Sequence, residues 1–199
     1  RAARCLGIIR RLDPEPAYRI ANTLLDAGIG AVEVTIDSPS AESVLKRLSS
    51  GGAGDRVGAG TILDKAAARR AVAAGAHFLV SPHTDTSLIE WCRRHGIAIL
   101  PGALTPTEVI QAVRAGASAI KLFPAGSVGP EHVSSLLGPW PTLDLVPTGG
   151  VSADNAPDWI AAGACAVAVG GWLCAGGREH EAARRARELL DAIGSVEGP

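Results

Sequence analysis

Residues 114–124 read RAGASAIKLFP, and this stretch shows the unit from which the fold is built. A helix ends in a glycine, and a short apolar strand follows. Glycine is the usual residue just past a helix end, where the backbone turns left-handed. The same phrase recurs along the chain as DAGIGAVEVTI, AAGAHFLVSP, RHGIAILPG and AAGACAVAVGG. The repeat predicts a regular alternation of helices and strands.

The spacing of the helix-ending glycines indicates how many units the chain contains. Gly28, Gly75, Gly96, Gly116 and Gly163 are separated by 47, 21, 20 and 47 residues. Each long interval also holds a second strand pattern, RVGAGT or TLDLVPTGG, and CLGIIR at the start brings the count to eight strands. We therefore predict a parallel (β/α)8 TIM barrel that forms a single compact domain over residues 1–199. An open doubly wound sheet is the alternative that the same alternation permits.

Helix start signals support this alternation. In TPTEV, Thr105 is a predicted helix cap, Pro106 falls in the first turn and Glu108 completes a capping box. The last helix is predicted near residues 179–193, where Ala, Leu and Ile recur on one face.

Composition and charge limit the classes of function. The chain has 199 residues, a formal net charge of −1 and no basic block, so no nucleic-acid partner is expected. No apolar run approaches the length of a membrane span, so no membrane partner is expected either. Cys5, Cys92, Cys165 and Cys174 show neither CxxC spacing nor a dense framework, which indicates reduced thiols in a cytoplasmic protein. Because the chain contains no methionine, we expect its true start to be missing or processed.

Polar residues lie at the ends of the predicted strands. In a (β/α)8 barrel the chemistry gathers at the C-terminal ends of the strands. One acid, two cations and several hydroxyls are predicted to meet at this rim: Arg10, Glu33, Thr35, Thr61, Lys121 and Thr148. Two Gly-Gly turns follow the seventh and eighth strands, at the usual phosphate pocket of such barrels: Gly149, Gly150, Gly170 and Gly171.

Lys121 is the residue that indicates a reaction. Lysine is rarely buried, and dry surroundings disfavour its charged form, so this amine either reaches solvent at the strand end or is held uncharged. An uncharged amine attacks carbonyl groups, and the resulting imine accepts electrons when a neighbouring C–C bond breaks or forms. Glu33 is the candidate to move the protons. The residues therefore predict Schiff-base chemistry on a small oxo acid that carries a phosphate.

Other interpretations of the same residues stay open at this point. Glu33 and Lys121 are also compatible with a structural ion pair inside the barrel. A phosphate-binding isomerase or epimerase is a second interpretation, although the rim shows one buried acid and no His/Asp cluster with metal-ligand spacing. A barrel that binds a sugar phosphate without catalysis is the third.

Seven motifs in order carry a resemblance to a known family: VEVT, GAGT, SPHTD, PGALTPTE, IKLFPAG, PTGGV and VGGWL. Together they closely resemble the class I aldolases of the KDPG/KHG aldolase family, from Cys5 to about Gly176. The resemblance implies that pyruvate is bound as an imine. It also implies cleavage of 2-dehydro-3-deoxy-6-phosphogluconate to pyruvate and glyceraldehyde 3-phosphate, by a homotrimer without metal or cofactor.

The resemblance also implies roles for individual residues. Lys121 is similar to the Schiff-base lysine of the family, and Glu33 to the acid–base residue that acts through a water. Thr61 and Thr148 are similar to contacts of the pyruvate carboxylate and carbonyl region. The remaining implied substrate contacts are Arg10 for the acidic substrate and four glycines for the phosphate: Gly149, Gly150, Gly170 and Gly171.

Two positions depart from the family pattern. Asp37 stands where many gluconate-type members have an arginine, so Arg10 is expected to make the carboxylate contact instead. Gly171 replaces a serine that is common at the phosphate site, which leaves backbone donors there. The phosphogalactonate and 4-hydroxy-2-oxoglutarate aldolases therefore remain alternatives within the family. His83 lies on the same predicted rim, as either a loop residue or a substrate contact.

Overall fold

The computed structural model describes residues 4–196, which contain nine strands and nine α-helices. The strands are β1 (Cys5–Ile9), β2 (Ala31–Thr35), β3 (Val57–Gly60), β4 (Phe78–Val80), β5 (Ala98–Leu100), β6 (Gly102–Ala103), β7 (Ile120–Leu122), β8 (Leu145–Pro147) and β9 (Val167–Val169). The helices are α1 (Pro14–Asp26), α2 (Ala41–Leu48), α3 (Lys65–Ala73), α4 (Thr86–Arg94), α5 (Pro106–Ala115), α6 (Glu131–Leu137), α7 (Ala156–Ala161), α8 (Gly171–Cys174) and α9 (Glu179–Gly194).

The strands form one closed ring. Six of them pair in parallel in the order β5-β4-β3-β2-β1-β9, and the other three pair in parallel as β6-β7-β8. β5 and β6 are the two halves of one segment, interrupted at Pro101, because proline has no N–H for the ladder. A parallel bridge between Thr148 and Ala168 joins the end of β8 to β9. The predicted (β/α)8 barrel is confirmed, and the open sheet is excluded because the ring closes.

The helix ends explain the recurring glycine. All five helix-ending glycines have positive φ angles between 67° and 105°, as predicted for a left-handed turn: Gly28, Gly75, Gly96, Gly116 and Gly163. A residue with a Cβ is disfavoured in this conformation, so glycine is the residue that lets each helix turn back towards the next strand.

The helices surround the ring, and their predicted start signals are confirmed. The N–H of Glu108 donates to Thr105 Oγ1, and the Glu108 carboxylate accepts from the Thr105 N–H at 2.8 Å, which is the predicted capping box at the start of α5. The last helix, α9, covers the predicted region. Within residues 4–196, no helix combines the length and the apolar character needed to cross a membrane.

Side chains alternate along each strand between the helix-facing core and the inside of the ring. On β1, Ile9 belongs to the large core, whereas Leu6 and Ile8 belong to a smaller cluster with Val80, Val146 and Ala168. This cluster draws on four strands, so it fills the inside of the ring. Because the side-chain period of a strand is two, residues two positions further along these strands face the open upper end of the ring.

Candidate active site

A cavity of about 630 Å³ opens at the C-terminal ends of the strands. All the predicted site residues line it: Arg10, Glu33, Thr61, Lys121, Thr148, Gly149, Gly150, Gly170 and Gly171. Side chains alternate between the two faces of a strand; Val146 belongs to the cluster inside the ring, and Ala31 packs against that cluster. Glu33 follows Ala31 by two residues and Thr148 follows Val146 by two, so both side chains also point to the inside. Residues that are far apart in sequence therefore meet in one space large enough for a small ligand.

Further residues complete the wall of this cavity: Ile8, Thr35, Pro82, Phe123, Val151, Ser152, Ala168 and Trp172. Apart from Thr35, which the sequence already places on the rim, these residues were missed. A signal existed for Phe123, because it follows Lys121 by two residues and so faces the same side of the strand path. No sequence signal pointed to Ser152, whose loop reaches the cavity only through the folding of the chain after β8.

Lys121 extends from β7 into the cavity. Its backbone N–H donates to the carbonyl of Pro101 at 3.0 Å, which holds β7 against the segment that joins the two sheets. The residue is 8% exposed, and its Nζ lies 5.2 Å from the centre of the Phe123 ring. The amine therefore lies against an aromatic ring and faces the cavity. A lysine is found in this apolar strand because its side chain points into the cavity and not into the core.

Glu33 is the most deeply buried charged residue of the site, with 1% exposure. Its Oε2 is buried and has no hydrogen-bond partner among the residues that the structure describes. Its carboxyl packs over Gly60, where a Cβ would lie only 2.4 Å from Oε1, so glycine at this position makes room for the acid. Burial raises the pKa of Glu33, and the positive charges of Lys121 and Arg10 oppose this rise.

Glu33 and Lys121 share the cavity without closing on each other. Among the ion pairs within 4.0 Å in residues 4–196, none joins these two side chains. The proposed structural ion pair is therefore not formed as a direct contact. The space between the two groups is open to a substrate atom or a water, which is what proton transfer through an intermediary needs.

The hydroxyl and glycine residues form the rest of the upper wall. Thr148 is buried, and its Oγ1 donates to the Val146 carbonyl at 3.1 Å. Thr61 has a positive φ of 60°, a conformation uncommon outside glycine, so its backbone is held in an unusual turn directly above β3. Gly149 and Gly150 also have positive φ angles, of 93° and 79°, whereas a Cβ at Gly171 would meet no atom within 4 Å.

Arg10 follows directly after β1 and is joined to Asp37 from the loop after β2. The Arg10 Nη2 and Nε donate to Asp37 Oδ2 at 2.9 and 3.2 Å. Burial raises the pKa of Asp37, but hydrogen bonds from Thr35 and Arg10 outweigh it and hold the pKa below its usual value. The departure from the family pattern at Asp37 thus places a carboxylate against the arginine of the rim.

His83 lies outside the cavity wall. It is exposed, and its Nδ1 is 3.2 Å from Ser81 Oγ, whose hydroxyl donates to the His83 carbonyl at 3.0 Å. The structure therefore supports the interpretation of His83 as a loop residue and not as a substrate contact.

The four cysteines are free thiols and lie outside the cavity wall. Burial raises the pKa of Cys5 and of Cys174 to about 12, so these thiols are not poised as nucleophiles. Among residues 4–196, no group of three His, Cys, Asp or Glu side chains is arranged to hold a metal ion.

The fold and the cavity define a barrel with a buried amine and a buried acid at its catalytic end, the place where enzymes of this fold carry their chemistry. A family model described as KDPG and KHG aldolase matches residues 1–186. The chain therefore belongs to the KDPG/KHG aldolase family, and the resemblance of its seven motifs is confirmed.

Individual relatives agree with this membership but differ in their substrates. A "Probable 2-dehydro-3-deoxy-6-phosphogalactonate aldolase" of Rhizobium meliloti (strain 1021) is 33% identical over 196 residues, which cover 97% of this chain and 92% of the relative. Other relatives, 31–34% identical, are named 2-dehydro-3-deoxy-phosphogluconate aldolases. The relatives thus show an aldolase of the KDPG and KDPGal type, without deciding between the two sugar acids.

Solved structures confirm the barrel. A structure described as "Native KDPGal structure" superposes with a TM-score of 0.90 at 29% identity, covering 96% of this chain and 94% of that chain. KDPG aldolase from Legionella pneumophila, "with pyruvate captured at low pH as a covalent carbinolamine intermediate", superposes with a TM-score of 0.83 at 25% identity, covering 98% and 95% of the two chains.

Replacing Glu33 by glutamine is expected to change how stability depends on pH. Because the folded-state pKa of Glu33 is raised, the folded protein keeps this proton in a pH range where the unfolded chain has lost it. The contribution of Glu33 to the free energy of unfolding is therefore fully present below the unfolded pKa and is lost as the pH rises through the folded pKa. Glutamine has no proton to lose, so the free energy of unfolding of the wild type should fall relative to that of Glu33→Gln across this window.

Urea unfolding at a series of pH values, from below the ordinary glutamate pKa to neutrality, measures this difference. Glu42→Gln on the exposed side of α2 is the matched control. A difference between wild type and Glu33→Gln that stays constant with pH would contradict the raised pKa.

Proposed function

We propose that this protein is a class I aldolase that cleaves a 2-keto-3-deoxy-6-phospho sugar acid to pyruvate and glyceraldehyde 3-phosphate. The first candidate substrate is 2-dehydro-3-deoxy-6-phosphogluconate. The observation that carries the proposal is the buried amine of Lys121 in the same cavity as the buried carboxyl of Glu33, whose Oε2 has no hydrogen-bond partner within residues 4–196. Of the three lysines of the chain, the other two, Lys46 and Lys65, lie on outer helices and are exposed or half-buried.

Lys121 is the proposed nucleophile. Its neutral amine adds to the C2 carbonyl of the oxo acid and forms a carbinolamine, which loses water to give a positively charged imine. Lys121 lies in the cavity wall with Phe123 beside it, so the carbonyl of a bound oxo acid can reach its amine.

Bond cleavage then uses the imine as the electron acceptor. A base removes the proton of the C4 hydroxyl, the electrons of the C3–C4 bond move into the imine, and glyceraldehyde 3-phosphate leaves. The remaining enamine takes a proton at C3, and hydrolysis of the imine releases pyruvate and restores Lys121. Glu33 is the proposed carrier of these protons, because a carboxyl with a raised pKa holds a proton more readily than an ordinary glutamate and can donate it as well as accept it.

The other residues of the wall are proposed to hold the substrate. Thr61 and Thr148, which line the same cavity as Lys121, would contact the carboxylate and carbonyl region of the pyruvate unit. Arg10 would attract the acidic substrate at the rim. Backbone N–H groups of the two glycine pairs would hold the phosphate, since no Cβ blocks its approach there: Gly149, Gly150, Gly170 and Gly171.

Family relatives support the chemistry of this proposal. The Legionella pneumophila enzyme, which shares the fold of this chain, is described with pyruvate as a covalent carbinolamine. A carbinolamine is the adduct that forms when an amine adds to a carbonyl group, which is the first step proposed for Lys121.

Trapping with pyruvate and borohydride tests the role of Lys121. Borohydride reduces an imine to a stable amine, so the wild type is expected to gain the mass of one reduced pyruvate adduct, located on Lys121 by peptide mapping. Lys121→Ala should gain no adduct and should lose essentially all aldolase activity, because Lys121 is the one lysine among the residues that line the cavity.

The matched control is Lys46→Ala, which removes an exposed lysine from α2 and should trap pyruvate as the wild type does. If the wild type forms no adduct, or forms it on Lys46 or Lys65, the aldolase proposal fails. The isomerase and the non-catalytic binding protein would then be the remaining interpretations.

Glu33→Gln is expected to slow turnover far more than it weakens imine formation. General acid–base catalysis contributes about 10²- to 10⁴-fold to a rate, so kcat should fall by about that factor. The extent of pyruvate trapping at equilibrium should change much less, because Lys121 remains. Steady-state kinetics and trapping on the same preparation give both numbers. A Glu33→Gln variant with the turnover of the wild type would remove Glu33 from its role.

The second candidate substrate is 2-dehydro-3-deoxy-6-phosphogalactonate, which the Rhizobium meliloti relative favours through its coverage of nearly the whole chain. The two acids give the same products and differ only in configuration at the carbon where the bond breaks. We expect kcat/KM for the gluconate form to exceed that for the galactonate form and for 4-hydroxy-2-oxoglutarate. A panel of these acids, assayed by pyruvate release, decides the substrate, and a higher kcat/KM for the galactonate form would make it the substrate instead.

The resemblance further predicts a cytoplasmic homotrimer that works without metal or cofactor. We propose this assembly together with the activity. Sedimentation of the purified protein measures the number of subunits, and activity after treatment with a chelator measures the need for a metal.

A further inference from the structure

The proposed function gives Arg10 a role at the rim but gives none to its hydrogen bonds with Asp37. Asp37 Oδ2 accepts from Nε and Nη2 of Arg10, so both bonds lie on one edge of the guanidinium. Arg10 lines the cavity, whereas Asp37 lies behind it and is not part of the wall. Of the five guanidinium N–H groups, those on Nη1 form no hydrogen bond within residues 4–196.

The barrel topology determines what lies on either side of Arg10. β1 pairs with β2 on one side and with β9 on the other. Arg10 at the end of β1 therefore stands between Glu33 of β2 and the glycines that follow β9, Gly170 and Gly171. Its side chain is 48% exposed, in contrast to the buried Glu33 and Lys121. We therefore assign it to the part of a ligand that extends towards solvent, and not to the substrate carboxylate, which is the contact that the sequence led us to expect for Arg10.

A second set of bonds fixes the loop that carries Asp37. The backbone N–H of Arg11 donates to Ser38 Oγ at 2.8 Å, and Ser38 Oγ is 3.0 Å from Thr35 Oγ1. Thr35 and Ser38 are both buried. The loop after β2 is thus joined to the end of β1 independently of Asp37, so Asp37 stands in a defined place and its removal leaves the loop attached.

We propose that Asp37 is a positioning residue for recognition of the substrate phosphate: it holds one edge of the Arg10 guanidinium and directs the free Nη1 edge to the phosphate at the glycine end of the cavity. A fixed planar guanidinium binds a phosphate better than a mobile one, because less side-chain freedom is lost on binding. This inference rests on the proposed function, since it assigns the phosphate of the same substrate.

Asp37→Ala tests the inference through the split between KM and kcat. The variant should raise KM for the phosphorylated sugar acid about threefold to fivefold, the range for loss of one partly exposed charge pair. Its kcat, and its KM for the unphosphorylated 2-keto-3-deoxy sugar acid, should change by less than about twofold. Asp37→Asn keeps an acceptor oxygen for Arg10 and should restore most of the loss. An equal rise of KM for both acids would overturn the inference.

A double-mutant cycle shows whether Asp37 acts through Arg10. In the Arg10→Ala background, Asp37→Ala should have no further effect on KM for the phosphorylated acid. A further rise of the same size as in the wild-type background would overturn the inference. Glu42→Ala is the matched control, because it breaks a similar exposed ion pair, to Arg70 at 3.1 Å, on the outside of the barrel.

Two readouts separate failure of this inference from failure of the proposed function. Pyruvate trapping on Lys121 should be equal in Asp37→Ala and the wild type, because Asp37 takes no part in imine formation. If the wild type itself traps no pyruvate, the result rejects the aldolase proposal and does not bear on the role of Asp37. Binding of inorganic phosphate, measured by calorimetry, needs no turnover and should be weaker in Asp37→Ala than in Asp37→Asn. Equal phosphate binding by the wild type and both variants would overturn the inference.

Discussion

A closed ring of parallel strands lets only every second side chain reach its inside, and this constraint organises the whole protein. The lower inside positions hold Leu6, Ile8, Val80, Val146 and Ala168, which fill the ring with apolar side chains. Two residues further along the same strands, the side facing the inside of the ring belongs to the wall of the cavity, at Arg10, Pro82, Thr148 and Gly170. Closure itself depends on two small features, the segment interrupted at Pro101 and the bridge between Thr148 and Ala168. Without them the acid, the amine and the glycines would not share one cavity.

The electrostatics of the cavity follow from this arrangement. An acid placed above an apolar layer loses hydration, and burial therefore raises the pKa of Glu33 against the opposing charges of Lys121 and Arg10. A direct ion pair with Lys121 would lower the pKa of Glu33 and would occupy both groups with each other. Because Glu33 and Lys121 are not in direct contact, both can face a substrate atom or a water in the cavity. Gly60 is part of the same design, since any side chain there would occupy the place of the carboxyl.

Charges at the rim interact more weakly than charges inside the cavity, because the rim is exposed to water. Arg10 is half exposed, and an isolated charge pair at such a place contributes little to stability. The role proposed for the pair is orientation, since Asp37 restricts a long flexible side chain at the mouth of the cavity. The buried contacts of Thr35 and Ser38 connect this rim to the rigid end of β2. Asp37 Oδ2 also lies 3.7 Å from Arg11 Nε, so its carboxylate faces two cations at this rim.

The amino-acid sequence by itself determined the number of units and the helix-ending glycines, and it singled out Lys121 and Glu33 as the proposed chemical pair. These are local signals: a left-handed turn needs glycine, and a charged residue in an apolar strand is visible from its neighbours. Only the tertiary structure decided that Phe123, Ser152 and Trp172 complete the wall, that Glu33 and Lys121 avoid direct contact, and that Asp37 bonds to Arg10. Those facts depend on distances between different strands and loops, and such distances are set when the ring closes.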